Sequence, residues 1–495
     1  MRKITLASLL AAAGAVLVPS KAAAQEAPPP ATTRTAPEPI PVDLMRIEPS
    51  GLTADQVGAR AAATSFTAKA QEENLRGAAA RVDQAWVNFL PRLAATARYT
   101  RLSNFRPPSL FQTGGANTVA TRDPPGTVNP TSISVSNDGF AIPLILDQFL
   151  LQGSIVVPIS DYFLRINQAH TAATHARDAV RFDAVAARAK SAADGKVAFY
   201  TWLRARGAAV VTVLAMNDQK THLNDAKNQF AVGNASRADV LRAETAVAAA
   251  ELQVERAKNL AELTEKQVRQ AMHLPAEQRM VPGESLDVPP PPASGNLRAM
   301  TEEARSARFE VKSIDANAAV AREQAKVARA GALPVVSAFG DAFYANPNPR
   351  RFPQTDEWFP TWDVGAQLTW SPNDLLVAGY AGTDAESRAT ALEAQRESVR
   401  DGIEIEVMQA FQAVHESDVA LESTKRELAS ATEAYRVARE LFNNGRATST
   451  TLTDAETELT RARLDALNAT VDARIARVRL EHAIGRDTRL IAPAP

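Results

Sequence analysis

Two long windows without proline decide what this chain can become. The protein has 30 prolines among 495 residues, yet none falls between Asp161 and Leu274 or between Asn373 and Ala492. Proline costs roughly 3 kcal/mol inside a helix, so its exclusion from windows this long is a helix signal. Both windows are rich in Ala, Leu, Val, Glu, Lys and Arg. Each is broken once by turn residues, at Gly233-Asn-Ala-Ser236 and at Gly445-Arg-Ala-Thr448. The reading is two very long helical hairpins.

The windows are copies. Phe230, Gly233, Ala235, Ser236, Ala243, Glu244 and Thr245 match Phe442, Gly445, Ala447, Thr448, Ala455, Glu456 and Thr457 at an offset of 212 residues (442 − 230). Pro158 matches Pro372 at 214, and Leu90-Pro91 matches Leu333-Pro334 at 243. The change in offset places about 29 extra residues in the first copy, between Pro91 and Pro158. The expected division is a first repeat over 51–275, a Pro-rich linker over 276–295, a second repeat over 296–487 and a short tail over 488–495.

The N-terminus has the form of a secretory signal over 1–24. Arg2 and Lys3 precede the apolar run Ile4–Val18, and Ala22-Ala23-Ala24 is a small-residue cleavage site. The run of about 15 residues is short for a spanning helix, which needs about 20. A Pro-rich linker follows over 25–50. No later run is apolar enough to span a membrane as a helix, so membrane entry requires a β-barrel. The formal net charge of −1 gives no sign of a nucleic-acid partner. With no cysteine, disulfides, thiolate metal sites and a lipid-modified Cys are excluded.

In chain order, Thr53 and Gln56 form a candidate capping box opening a helix to about Val87, with a counterpart from Asn296 to about Arg329. Strands are expected at 92–105, 147–160, 333–345 and 361–371. A long loop over 106–146 holds the extra residues. At the first strand-to-helix corner, Pro158-Ile-Ser-Asp161, Ser160 or Asp161 can cap the next helix; Pro372-Asn-Asp374 repeats that corner. In the fourth strand Trp362, Val364, Ala366, Leu368 and Trp370 alternate with Thr361, Asp363, Gly365, Gln367 and Thr369, one face apolar and the other small or polar. The two Trp lie about 26 Å apart along a strand, roughly 20 Å along a membrane normal once tilted. That matches the aromatic girdles of an outer-membrane barrel, and Trp362, Val364, Leu368 and Trp370 are read as membrane-facing. A helix from Asp161 to Phe230 spans roughly 105 Å and needs neighbouring helices for stability.

These pieces resemble the TolC family of outer-membrane efflux proteins over about residues 52–487. The likeness rests on Pro158-Ile-Ser-Asp161, Pro372-Asn-Asp374, Arg308-Phe-Glu-Val311 and the two turns at Gly233 and Gly445. It implies an α+β membrane protein and a homotrimer. Each chain gives four strands to one twelve-stranded β-barrel embedded in outer-membrane lipid, continued by a long α-helical coiled-coil barrel in the periplasm. The implied partners are a periplasmic adaptor (membrane fusion) protein and an inner-membrane RND or ABC transporter. The helix tips around Gly233, Ser236, Gly445 and Thr448 would contact the adaptor. In the family, acids after the second tip glycine ring the pore; the matching positions are Thr451 and Asp454, so one acid is lost. Asp239 matches an acid that pairs with a Tyr, which is Phe442 here, and a family Arg is Ala447. The expectation is a gate of apolar packing around Phe442 and Leu452, with Asp454 as the charged ring.

Enzyme chemistry finds no support: there is no Walker loop or nucleophile elbow, and all six His (His170, His175, His222, His273, His415 and His482) lie in predicted helices, with His170 and His175 off zinc-pair spacing. No cofactor is expected. The alternative is a periplasmic adaptor or scaffold built on helical hairpins; a protein-secretion conduit would share the fold.

Overall fold

The computed structural model describes residues 47–487 except 276, 279, 287, 289 and 292–294, and within 105–144 only four short strands. The expected signal over 1–24, most of the linker over 25–50, most of the enlarged loop and the tail over 488–495 therefore lie outside the described residues.

The chain opens with α1 (Ala54–Thr64) and α2 (Phe66–Val87), then β1 (Arg92–Arg101). Four two- or three-residue strands follow, β2 (Asn117–Val119), β3 (Arg122–Asp123), β4 (Thr127–Val128) and β5 (Ile133–Val135). Then come β6 (Asp147–Val157), a π turn over Tyr162–Ile166, α3 (Asn167–Ala231) and α4 (Arg237–Ala271). The second half runs α5 (Leu297–Ala307), α6 (Phe309–Ala330), β7 (Val335–Asn346), β8 (Phe359–Thr369), α7 (Asp374–Asn443) and α8 (Ser449–Ile484). At 1.5 Å per residue, α3 and α7 each extend about 100 Å. Helices α5 and α6 repeat the lengths of α1 and α2, 11 and 22 residues, at a constant offset of 243 (297 − 54 and 309 − 66).

Two sequence expectations need correction. The helices over 52–87 and 296–329 are each broken in two. Ser65 (φ −54°, ψ 127°) and Arg308 (φ −62°, ψ 127°) leave the helical region. Ser65 then caps the next helix, its hydroxyl accepting from the Ala68 amide. Arg308 is held by charge: its guanidinium donates to Glu310, to Glu406 at 3.1 Å and to the Ala483 carbonyl at 3.2 Å. Nor do the residues of the first strand-to-helix corner cap α3. The Ser160 hydroxyl accepts from the Val336 amide at 2.9 Å, fastening the corner to β7, and Asp161 pairs with Arg165. The capping box at Thr53 and Gln56 forms as expected.

The sheet order is β1-β6-β7-β8, all antiparallel, leaving β1 and β8 as edges. Pro360 lies in β8, an edge strand, where a missing donor is tolerated. Towards the sheet, α2, α3, α6 and α7 pack side by side; towards the far end the order is α4, α3, α8 and α7. Both halves thus meet along α3. The cores lie midway. One joins Val57, Phe199, Trp202, Val268, Met272 and Val471; the other joins Met300, Val311, Ile403, Val407 and Leu480. Between the cores, Glu284 of the linker accepts from the Ala54 amide (2.8 Å) and the Tyr200 hydroxyl (3.1 Å), and lies 3.6 Å from Arg474. Burial and the Glu284 charge push Tyr200 up to about 12. The linker is a strap, sealed where Gly51 meets Gly283: a Cβ on Gly283 would lie 2.4 Å from the Gly51 carbonyl oxygen.

Removing Arg308 leaves Glu310, Glu406 and a helix-end carbonyl without their shared donor. Arg308→Ala is expected to cost about 3 kcal/mol and to lower the thermal midpoint clearly. Arg436→Ala, which removes a fully exposed pair with Glu433 and Glu440, leaves the midpoint unchanged. Thermal denaturation in detergent, monitored by circular dichroism, makes the comparison.

Candidate functional site: sheet face and helical tips

Strand pairing decides what the sheet presents. Directly paired residues share a face, and the registers run Leu93–Ile155–Gly340–Val364, Ala95–Gly153–Ala342–Trp362 and Ala97–Leu151–Tyr344–Pro360 across the four strands. One face therefore carries only apolar or small side chains in these three rows. The opposite face carries Thr96, Gln152, Ser154, Asp341 and Asp363, with Gln152 donating to Asp341 at 3.1 Å. The apolar face is the exposed one: Trp362 is 74% and Val364 72% accessible, and Leu93 and Leu368 are also exposed. A soluble sheet does the reverse.

Trp370 lies just past β8, and its indole N–H donates to the Ala332 carbonyl at 3.2 Å. At the far end of the strands, Phe149, Tyr344 and Trp358 join in one aromatic cluster, with Tyr344 and Trp358 stacked at 4.9 Å and Tyr99 against Phe149 at 5.0 Å. This band was not legible in advance, because its members come from three strands and a loop.

At the other end, the two hairpins turn through Gly233 (φ +80°) and Gly445 (φ +68°). Both glycines have open space around them, so the left-handed backbone conformation is what requires glycine. Ser236 and Thr448 are the N-caps of α4 and α8. Asp239 completes a capping box: it accepts from the Ser236 amide (3.0 Å) and hydroxyl (2.6 Å) and pairs with Arg242 at 3.2 Å. The Ser236 hydroxyl, then its amide, hold the Asp239 carboxyl below the usual carboxylate range. Asp239 is thus committed to its own turn. Thr451 is likewise engaged, its amide donating to Thr448 Oγ1 at 3.2 Å. Asp454 is exposed, and among the described residues it meets no counter-charge.

Phe442 and Leu452 do come together, in a cluster with Ala438 and Tyr435. The equivalent Phe230 of the first tip does not: it is 47% accessible where Phe442 is 7%. Val232 and Leu241 are exposed beside it. The difference arises because α3 runs beside the second tip and places His222 edge-on against Phe442, ring centroids 5.3 Å apart. His222 and Glu456 are themselves buried here, 2% and 4% accessible, and a reading of His222 as an ordinary helix residue misses them. The available signal was the position of Glu456: it lies four residues after Leu452 and three before Leu459, on the buried face of α8.

Among the described residues no helix is long and apolar enough to cross a membrane, and no group of three side chains could hold a metal ion. No curated protein matches the sequence. Residues 300–486 match the family model described as outer membrane efflux protein. Solved structures share the fold. The outer-membrane protein VceC of Vibrio cholerae is 17% identical, with a TM-score of 0.69 over 87% of this chain and 96% of that one. The CmeC outer-membrane channel of Campylobacter jejuni is 15% identical, at 0.68 over 92% and 94%. The MtrE channel of Neisseria gonorrhoeae, in its open state, is 18% identical, at 0.67 over 87% and 88%. CmeC and MtrE are outer-membrane channels. Residues 300–486 are thus similar to the outer membrane efflux protein family, and over 87–92% of its length the chain shares the fold of these outer-membrane proteins.

Proposed function

We propose that three copies of this chain form an exit duct through the outer membrane, built from two tandem repeats over 51–275 and 296–487. The duct receives substrates from an inner-membrane RND or ABC transporter through a periplasmic adaptor. One observation carries this reading: the exposed face of the sheet is its apolar face, and both sheet edges are unpaired. Such a sheet is stable in hydrocarbon only when closed, because unpaired N–H and C=O groups there cost several kcal/mol each. Joining β8 of one copy to β1 of the next would close a barrel of twelve strands. The side-by-side helices would continue it as a tunnel, with the polar sheet face lining the lumen. Phe230, Val232 and Leu241 at the first tip offer apolar contacts for the adaptor or a neighbouring copy. Phe442 and Leu452 supply the apolar part of the gate, and Asp454, which meets no counter-charge among the described residues, supplies the ring of carboxylates.

Extraction of outer membranes in detergent followed by native mass measurement tests the assembly. Three chains in that fraction support the duct; a soluble periplasmic species overturns it. The face assignment has its own test. Val364→Arg is expected to cost about 2–4 kcal/mol per chain and to abolish assembly in the outer membrane, although Val364 is exposed in the single chain. Gln152→Arg, on the opposite face beside Asp341, is tolerated. For the gate, Asp454→Ala is expected to roughly halve the K⁺/Cl⁻ permeability ratio in planar bilayers, because carboxylates around one axis concentrate cations. An unchanged reversal potential removes Asp454 from that role.

A further inference from the structure

The connection from β7 to β8 is longer than the hairpin needs. Asn346 ends β7 and Phe359 begins β8, and Ala345 is already paired with Phe359, so a tight turn could join the strands. The chain instead has twelve residues there, Pro347 to Trp358 (358 − 347 + 1). They fold back along the sheet. Asn348 is buried, its side-chain amide donating to the Phe359 carbonyl at 2.8 Å and to Thr361 Oγ1 at 3.2 Å, while its Oδ1 accepts from the Arg350 amide at 2.9 Å. Arg350 then lies over the Phe343 ring, 4.5 Å from its centroid, and pairs with Asp363. Asp363 stands four residues inside β8 (363 − 359), about 13 Å from the strand end.

These contacts all lie on one side. Phe343, Thr361 and Asp363 belong to the polar face, since Ala342, Trp362 and Val364 between them form the apolar one. At its other end the same connection reaches the apolar face, where Trp358 stacks on Tyr344 and meets Phe149. The segment is therefore hooked over the end of the hairpin. Prolines at 347, 349 and 353 fix φ along it, which lowers the entropy lost in ordering it. We propose that residues 347–358 form a lid over the polar face of the sheet, pinned there by Arg350 on Asp363.

Charge explains why the pin is an arginine. Asp363 stands directly opposite Asp341 across the strand pair, and like charges placed so repel. Gln152 donates to Asp341 but carries no charge, so Arg350 supplies the cation that offsets the two acids. The neighbouring Arg351 reaches Glu357 at 3.4 Å and lies 4.9 Å from the centroid of the Phe359 ring, which ties the two ends of the lid together. The consequence rests on the duct proposed above, in which the polar face lines the lumen. Three lids then lean into the outer mouth of one barrel and narrow it, and releasing Arg350 widens it.

Two readouts separate the lid from the duct. Amide hydrogen exchange over 350–358, in the full-length protein in detergent, reads the pin alone. Arg350→Ala and Asp363→Arg are each expected to raise exchange there roughly fivefold, the scale of one half-exposed ion pair together with one cation–π contact. The exchanged pair, Arg350→Asp with Asp363→Arg, restores opposite charges and should exchange more slowly than Asp363→Arg alone. Unchanged exchange in both single variants, or a double variant as fast as Asp363→Arg, overturns the pin. In planar bilayers Arg350→Ala is expected to raise the single-channel conductance, with the exchanged pair returning toward the wild type. Equal conductance in Arg350→Ala and the wild type overturns the narrowing of the mouth. Absence of conductance in every protein would instead sink the duct, while the exchange result stands on its own.

Discussion

Four strands that present one exposed face made of apolar and small side chains, Leu93, Ile155, Leu151, Tyr344, Trp362 and Val364 among them, leave two rows of unpaired backbone groups, along β1 and β8. The rest of the architecture answers that constraint. In the proposed assembly, closure takes further copies arranged about one axis, and the helices below then lie side by side rather than in a compact bundle. The structure has this form: α4, α3, α8 and α7 follow one another in a layer, with α3 and α7 each about 100 Å long. Helices of that length have no stability of their own and depend on their neighbours.

Such a layer must be fixed at its middle, because packing at either end cannot restrain so long a lever. The breaks at Ser65 and Arg308 allow α1 and α5 to pack there, where the largest buried side chains lie, Trp202 and Phe199 among them. The strap through Glu284 and the Arg308 cluster supply the polar side of that belt. Their charges are satisfied by partners far apart in sequence: Arg308 reaches Glu406 and the Ala483 carbonyl, and Glu284 reaches Ala54, Tyr200 and Arg474. The tips, by contrast, are held mostly by local devices, two glycines in the left-handed region and two caps.

The tips also mark where family resemblance stops being a guide to chemistry. Asp239 matches a gate acid by position, yet here its carboxylate is consumed by Ser236 and Arg242. Between the hairpins, His222 and Glu456 approach each other to 3.4 Å, both buried, and Asp218 pairs with Arg463. With Phe where the family has Tyr, the ring at 442 makes no hydrogen bond and packs on the imidazole.

The sequence by itself determined the elements: proline exclusion marked the long helices, period-two alternation marked β8, Gly233 and Gly445 marked the turns, and Thr53 with Gln56 marked a helix start. These are local signals, carried by residues within a few positions of one another. The offset of 243 between the early helices was also legible, since it needed only matching. Only the tertiary structure decided that Ser65 and Arg308 break those helices, because Arg308 leaves the helical region where Glu406 and Ala483 draw it. It also decided that Phe442 is buried and Phe230 is not, because α3 lays His222 against Phe442, which packs with Leu452. Above all it paired His222 with Glu456, 234 residues away (456 − 222), a contact that no local pattern encodes.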